Sequence, residues 1–381
     1  MTDTPEQAAH SRFASLHHAI NAVTDKAKNS HTEDPQAHLQ TPATHETSHA
    51  WMRHLFPYTS LEEVESAFHL ANYVMDRKTG AKTLEAMPMY VRIGMHMLYY
   101  GSEQERLLSW DKTKALLKEQ SEKMGREYDD PASVAHIQPF IESFELQGTL
   151  DQLKEPDVTK YKNFNEFFGR ELRPDARPID EPENGLVVSS VADCRLTTFP
   201  TVDLATKYWI KGYGFTLDKL LGDVGLAEYF EGGSLGIFRL APQDYHRWHS
   251  PVDGVIESIT DIPGTYYTVN PQAINEPGTM DVFCENKRSV MTIKWAATGS
   301  RVAVVAVGAM LVGSIKYNPG IEVGATVKRG QTLGAFYYGG STVITVFKQG
   351  EVTFDEDLVR NSTESVCETV VSVGWRVGGH P

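Results

Sequence analysis

The stretch RVAVVAVGAMLVGSI, residues 301–315, decides the fold. From Val302 to Ile315 it runs fourteen residues with two glycines, Gly308 and Gly313. A bilayer-spanning helix needs about 20 apolar residues, so the run reads as buried strands, rich in valine and broken where the chain turns. The same texture extends on both sides. LVVSSV, SLGIFRL, GVIESI, GTYYTV, SVMTIKW, RVAVVAV, AMLVGSI, TLGAFYY, TVITVF and ETVVSVGW are short, β-branched runs separated by Gly, Pro, Asn and Asp. That spacing predicts a β-rich barrel or sandwich over residues 185–381. Within it, IEVGATVKRGQTLGAF resembles the hammerhead turn of lipoyl- and biotinyl-type barrels.

Upstream, the signals are helical over residues 51–184. Ser60 and Glu63 have the spacing of a capping box. Leu61, Val64, Ala67, Phe68, Ala71, Val74 and Met75 then line one helical face that Gly80 stops. Met87 to Tyr100 is apolar almost all round, which suits a buried helix or one resting on a membrane surface. Further helices are predicted from Gln104 to about Gly125 and from Asn163 through Leu172. The prolines of RPDARPIDEPENG (173–185) end the periodicity and place the domain boundary. Residues 1–50 are polar and carry seven of the 14 histidines, which reads as a solvated arm, or as a metal-binding tract.

Composition narrows the function. Fifty acidic against 36 basic residues give a formal charge of −14, which argues against nucleic acid as a partner. Three scattered cysteines, Cys194, Cys284 and Cys367, argue against a disulfide scaffold or a cysteine zinc site. The opening MTDTPEQAAH has neither the basic nor the apolar region of a secretory signal.

Three places concentrate chemistry. In LAPQDYHRWHSPVDG (240–254), His246 and His249 sit three apart on a predicted loop, as a general acid and base, a metal pair, or a hydrogen-bonded turn. In VVSSVADCRL (187–196), Asp193 interrupts an apolar run, where it either orients a histidine or makes a local turn. In FYYGGSTVITVF (336–347), Gly339, Gly340 and Ser341 form either a tight turn between two strands or a site where Ser341 attacks the carbonyl of Gly340.

In this order, the acid of SVAD (190–193), YHRWH (245–249) and GGST (339–342) resemble the signature of the phosphatidylserine decarboxylases. The resemblance extends through MPMYVRIGMHMLYYGS, FNEFFGRELRPDARPI, FPTVDLATKYWIKG, IPGTYYTVNP and VGAMLVGSI. It is closest to the catalytic part of the eukaryotic extramitochondrial branch. It implies an α+β fold with an N-terminal helical region and the family's β-rich catalytic domain.

It also implies roles. His249, held by Asp193, would deprotonate Ser341, whose oxygen attacks the Gly340 carbonyl, so that the amide becomes an ester. Elimination and hydrolysis would then release ammonia and leave a pyruvoyl group in place of Ser341, with fragments 1–340 and 341–381. The pyruvoyl ketone, in place of pyridoxal phosphate and without a metal, would form a Schiff base with the substrate amine and accept the electrons freed by loss of CO2. His246 would protonate the carbanion, and Tyr266 and Tyr267 are candidates to line the pocket.

The implied reaction converts phosphatidylserine to phosphatidylethanolamine. The implied protein is cytoplasmic or peripherally bound to an intracellular membrane, as a homodimer of cleaved protomers. SVAD departs from the family's usual SPAD, and neither a C2 module nor a D-x-D-x-D-G calcium loop is evident. Trp248 resembles the YHRWH of soluble fungal relatives that decarboxylate free aromatic amino acids, which makes such a substrate the second reading. A histidine-dependent metallohydrolase and a noncatalytic lipid-binding relative are the remaining ones.

Overall fold

The computed structural model describes residues 73–84, 111–210, 215–267, 281–309, 314–337 and 341–381. The N-terminal arm, the helical face expected from Leu61 to Ala71 and the apolar segment from Met87 to Tyr100 lie outside these residues.

The first strands are β1 (Tyr73–Asp76), β2 (Lys82–Leu84), β3 (Val187–Ser189), β4 (Cys194–Phe199), β5 (Ser234–Leu240) and β6 (Arg247–His249). Next come β7 (Gly254–Ile262), β8 (Arg288–Trp295), β9 (Arg301–Gly308), β10 (Ser314–Tyr317) and β11 (Thr326–Val327). The last are β12 (Thr332–Tyr337), β13 (Ser341–Phe347), β14 (Thr353–Phe354), β15 (Glu368–Val371) and β16 (Arg376–Gly379). The helices that matter for the site are α1 (Asp111–Asp129), α2 (Ile137–Ser143), α3 (Phe164–Phe168), α4 (Val202–Tyr208), α5 (Leu217–Leu221) and α6 (Val224–Tyr229).

Ten strands form one sheet in the order β11-β7-β8-β9-β13-β5-β4-β15-β1-β2. Only β1 and β15 pair in parallel; the other pairs in this sheet are antiparallel. Its edge strands, β11 and β2, do not pair with each other, so the sheet is open and the architecture is an α+β sandwich, not a closed barrel. Two three-stranded sheets, β10-β12-β6 and β14-β16-β3, cover one face, and α4 to α6 cover the other.

This layering explains the valine run. Val302, Val304 and Ala306 enter the core between sheets, while Ala303, Val305 and Val307 enter the core under the helices. A strand buried on both faces needs a continuous apolar run, not an alternating one. Each fully buried valine contributes about 1.5–3 kcal/mol. A third core gathers Met124, Tyr128, Phe140, Phe164, Phe167 and Phe168 between α1, α2 and α3.

Several local expectations change. Residues 73–76 are strand because they pair with β15, so the helical face predicted through Met75 does not reach that far. The helix expected from Asn163 to Leu172 covers only Phe164–Phe168, where the Asn163 side chain accepts from the Glu166 N–H. GTYYTV supplies no strand at residues 264–267, where Thr265 forms a single bridge to Asn286. The run 187–196 splits into β3 and β4, with Asp193 in the bend between them. The histidine loop contains strand β6, paired with β12. Close approach there requires Gly334: a Cβ on it would lie 2.4 Å from the Trp248 ring and 2.5 Å from the Lys316 carbonyl.

Candidate active site

Ser341 is the first residue of β13, held between Leu240 at the end of β5 and Gly308 at the end of β9. It is fully buried, and its Oγ has no hydrogen-bond partner among the described residues. A buried hydroxyl left unpaired costs about 1–3 kcal/mol and calls for an explanation in chemistry. β12, which ends at Tyr337, belongs to the small sheet and β13 to the large one, so the strands on either side of GGST do not pair with each other as a hairpin.

Strand β12 passes both histidines. Thr332 of β12 lies opposite His249, and farther along the Phe336 N–H donates to the His246 carbonyl at 2.9 Å. His249 is buried. Its backbone N–H donates to the Val191 carbonyl at 2.8 Å, and its Nδ1 lies 3.3 Å from the same oxygen. A carbonyl only accepts, so Nδ1 carries the proton and Nε2 accepts from the Thr332 hydroxyl at 3.0 Å. Burial is the main cause that pushes the His249 pKa down to about 4. The Asp193 charge and the Val191 carbonyl oppose this shift, and the Arg247 and Arg177 guanidinia reinforce it. The ring is therefore a neutral imidazole at physiological pH.

Asp193 does not hydrogen-bond His249, contrary to the expected arrangement. Its carboxylate is forked by Arg177, with Nε at 2.9 and 3.0 Å and Nη2 at 2.6 Å, and it accepts from the Val373 N–H at 2.8 Å. It acts on His249 through its field alone. Nor does either imidazole hydrogen-bond Ser341 Oγ. Since β4 lies two places from β13 in the sheet, the end of β4 next to Asp193 stands roughly 10 Å from the Ser341 backbone.

His246 is also buried. Its Nδ1 lies 2.9 Å from the Asp244 carbonyl, which fixes the proton on Nδ1 and leaves Nε2 as the nitrogen available for proton exchange. Its ring stacks on Phe168, with centroids 4.1 Å apart.

The tyrosines separate. Tyr267 is 1% exposed and packs in the core beneath the helices, with its N–H on the Asn286 side-chain oxygen. Tyr266 is also buried, and burial raises its phenol pKa. Trp248 is 1% exposed in the inter-sheet core, its ring 4.6 Å from Phe336. Among the described residues, no three His, Cys, Asp or Glu side chains are grouped to hold a metal, and no helix is long and apolar enough to cross a membrane.

Arg177 and Thr332 escaped the sequence reading. Arg177 lies in the proline-rich stretch read as a boundary and as part of the family resemblance, with no role assigned to it, and Thr332 is 83 positions from its histidine. No local pattern marks either one. The chance to find them lay in asking what a lone buried acid and a buried imidazole must bond.

The profile of the family described as phosphatidylserine decarboxylase matches residues 164–378. A relative named phosphatidylserine decarboxylase proenzyme 3, from Schizosaccharomyces pombe, is 42% identical over 90% of this chain and 36% of its own length. Proenzyme 2 from Oryza sativa subsp. japonica is 42% identical over 87% of this chain and 53% of its own length. A bacterial proenzyme from Fusobacterium nucleatum is 38% identical over 67% of this chain and 81% of its own length. The chain thus spans only about a third to a half of the eukaryotic relatives, but most of the compact bacterial one. The buried serine, the two tethered imidazoles and these matches agree: this chain belongs to the phosphatidylserine decarboxylase family.

Proposed function

We propose that this chain is a proenzyme that cuts itself between Gly340 and Ser341 and then decarboxylates phosphatidylserine to phosphatidylethanolamine. The observation that carries this reading is the unpaired, buried Ser341 Oγ at the head of a strand whose upstream neighbour, β12, is bonded to both histidines. Serine is weakly acidic and needs a base to attack. His249, neutral and buried, is that base; the Asp193 charge favours the imidazolium that forms when it takes the proton. The Thr332 hydroxyl holds Nε2 in the uncut chain, so the cut requires His249 to exchange that bond for Ser341.

A pyruvoyl group at position 341 fits the buried site and would supply the electrophilic carbonyl that takes up electrons when CO2 leaves. His246 Nε2, unprotonated in the resting ring, takes up a proton as the substrate ammonium is deprotonated and later delivers it to the substrate carbon, and the apolar surroundings keep bulk water away. Tyr266 is the tyrosine we retain as a pocket wall; Tyr267 is a core residue. The diacyl substrate places the protein in peripheral contact with a membrane. The second reading, a free aromatic amino acid, rested on Trp248 and on the want of an evident C2 module; burial of the Trp248 ring between the sheets accounts for that residue as packing.

The test has two parts. Denaturing electrophoresis and intact mass should show two fragments and a blocked new terminus, and Ser341→Ala should stay whole and inactive. Replacing His249 or Asp193 should block the cut, whereas replacing His246 should spare the cut and stop turnover. CO2 release, measured on phosphatidylserine vesicles beside free tryptophan, tyrosine and serine, should be confined to the vesicles. Normal cutting of Ser341→Ala, or turnover of free tryptophan alone, would refute the proposal.

A further inference from the structure

The segment FNEFFGREL around α3 makes contacts that the reading above leaves unused. Arg170 is 6% exposed, and its donors reach carbonyls only: Phe168 at 3.5 Å, Gln243 at 3.2 Å and Asp244 at 3.3 Å. Among the described residues it forms no ion pair, although burying a cation without a carboxylate is costly. Burial lowers its pKa, the fields of Tyr161, Asp244, Asp193 and Tyr245 oppose that shift, and the guanidinium lies 5.1 Å from the centre of the Phe167 ring. The Asp244 oxygen that it bonds is the one that accepts His246 Nδ1–H.

The contact is reciprocated. Arg247, next to His246, sends its Nε back to the carbonyls of Gly169 at 2.8 Å and Arg170 at 3.1 Å. Phe168, two residues before Arg170, forms the floor under the His246 ring. Two arginines therefore lace the end of α3 to the turn that carries His246, Arg170 reaching the carbonyls of Gln243 and Asp244 and Arg247 reaching those of Gly169 and Arg170.

We infer that Arg170 is a positioning residue: it fixes the Asp244 carbonyl, and through it the tautomer and aim of His246, for protonation of the decarboxylated substrate. A carbonyl oxygen has two lone pairs, and Arg170 on one of them holds the other toward the imidazole. Without it the turn relaxes and the ring samples the other tautomer, whose Nε2 already holds its proton, cannot take up the one released by the substrate ammonium, and could give up its own only by becoming an imidazolate. The inference rests on His246 being the proton donor, so its test reads the ring separately from the reaction.

The experiment compares wild type, Arg170→Met and Arg170→Lys as self-processed protein. Imidazole nitrogen resonances of 15N-histidine-labelled protein, with His246 assigned by loss in His246→Asn, report which nitrogen is protonated. Kinetics on phosphatidylserine in mixed micelles report kcat and KM. In wild type, His246 should be protonated at Nδ1. Arg170→Met should cut normally, mix the two tautomers, and lose about tenfold or more in kcat with KM within about twofold, as expected for a misplaced catalytic group. Arg170→Lys keeps a donor to the turn and should restore the single tautomer and most of kcat. Should Arg170→Met not fold, Phe168→Leu and Arg170→Lys carry the same comparison, with Phe168→Leu expected to mix the tautomers. A single Nδ1–H tautomer and unchanged kcat in Arg170→Met would overturn the inference. Mixed tautomers with undiminished turnover would support the positioning and remove His246 from its role as donor.

Discussion

His249 should make the fold acid-sensitive by an amount that the structure sets. Its pKa is about 4 in the fold, against 6.5 for the exposed group in the unfolded chain. Above pH 6.5 both states hold a neutral ring and the site adds no pH dependence. As the pH falls from 6.5 toward 4, the unfolded chain binds a proton that the fold refuses, so stability is lost across that window and the loss is complete below it. A gap of this size corresponds to roughly 3 kcal/mol in full, of which about 2–3 kcal/mol is already lost at pH 4.5. The measurement uses urea unfolding of Ser341→Ala, which keeps the chain in one piece, beside Ser341→Ala/His249→Asn, which lacks the titrating ring. Carboxylates titrate alike in both proteins and cancel. The stability advantage of the His249 protein should shrink by about 2–3 kcal/mol between pH 7.5 and 4.5. Parallel curves would show that His249 is solvated or already charged in the fold, and the neutral-base reading would fail with it.

Other outcomes follow from particular contacts. Glu368→Gln should cost about 3–5 kcal/mol, because Glu368 and Arg239 are 2% and 6% exposed and bonded twice, at 2.7 and 2.5 Å; urea midpoints test this, and replacing both by apolar residues should recover much of the loss. Gly334→Ala should destabilise by about 1–3 kcal/mol through the clash with the Trp248 ring and the Lys316 carbonyl, seen as a lower melting temperature. Trp248→Phe should lower stability yet leave the preference for phosphatidylserine over free tryptophan unchanged in the CO2 assay, since the ring packs between sheets. A switch of substrate in that variant would restore the amino-acid reading.

Sequence alone settled what chain-local physics controls. The valine run at 302–307 reads as buried strand from its length and β-branched composition, and the fold adds that its alternate residues enter two different cores. The residue types that the proposed self-cleavage needs, a glycine followed by a serine with histidines and an acid elsewhere, stand in plain view in GGST, YHRWH and SVAD. Tertiary structure decided everything that depends on partners far along the chain. Residues 73–76 became strand only because β15, nearly three hundred residues later, offered them an edge. Asp193 took Arg177 instead of His249 because a guanidinium can fork a carboxylate, while His249 had already found the Val191 carbonyl and the Thr332 hydroxyl. Trp248 looked like a specificity residue and proved to be core, since which side a strand residue faces depends on the sheet it joins. Local pattern reports burial and backbone preference, whereas a hydrogen-bond partner is chosen by the folded neighbourhood.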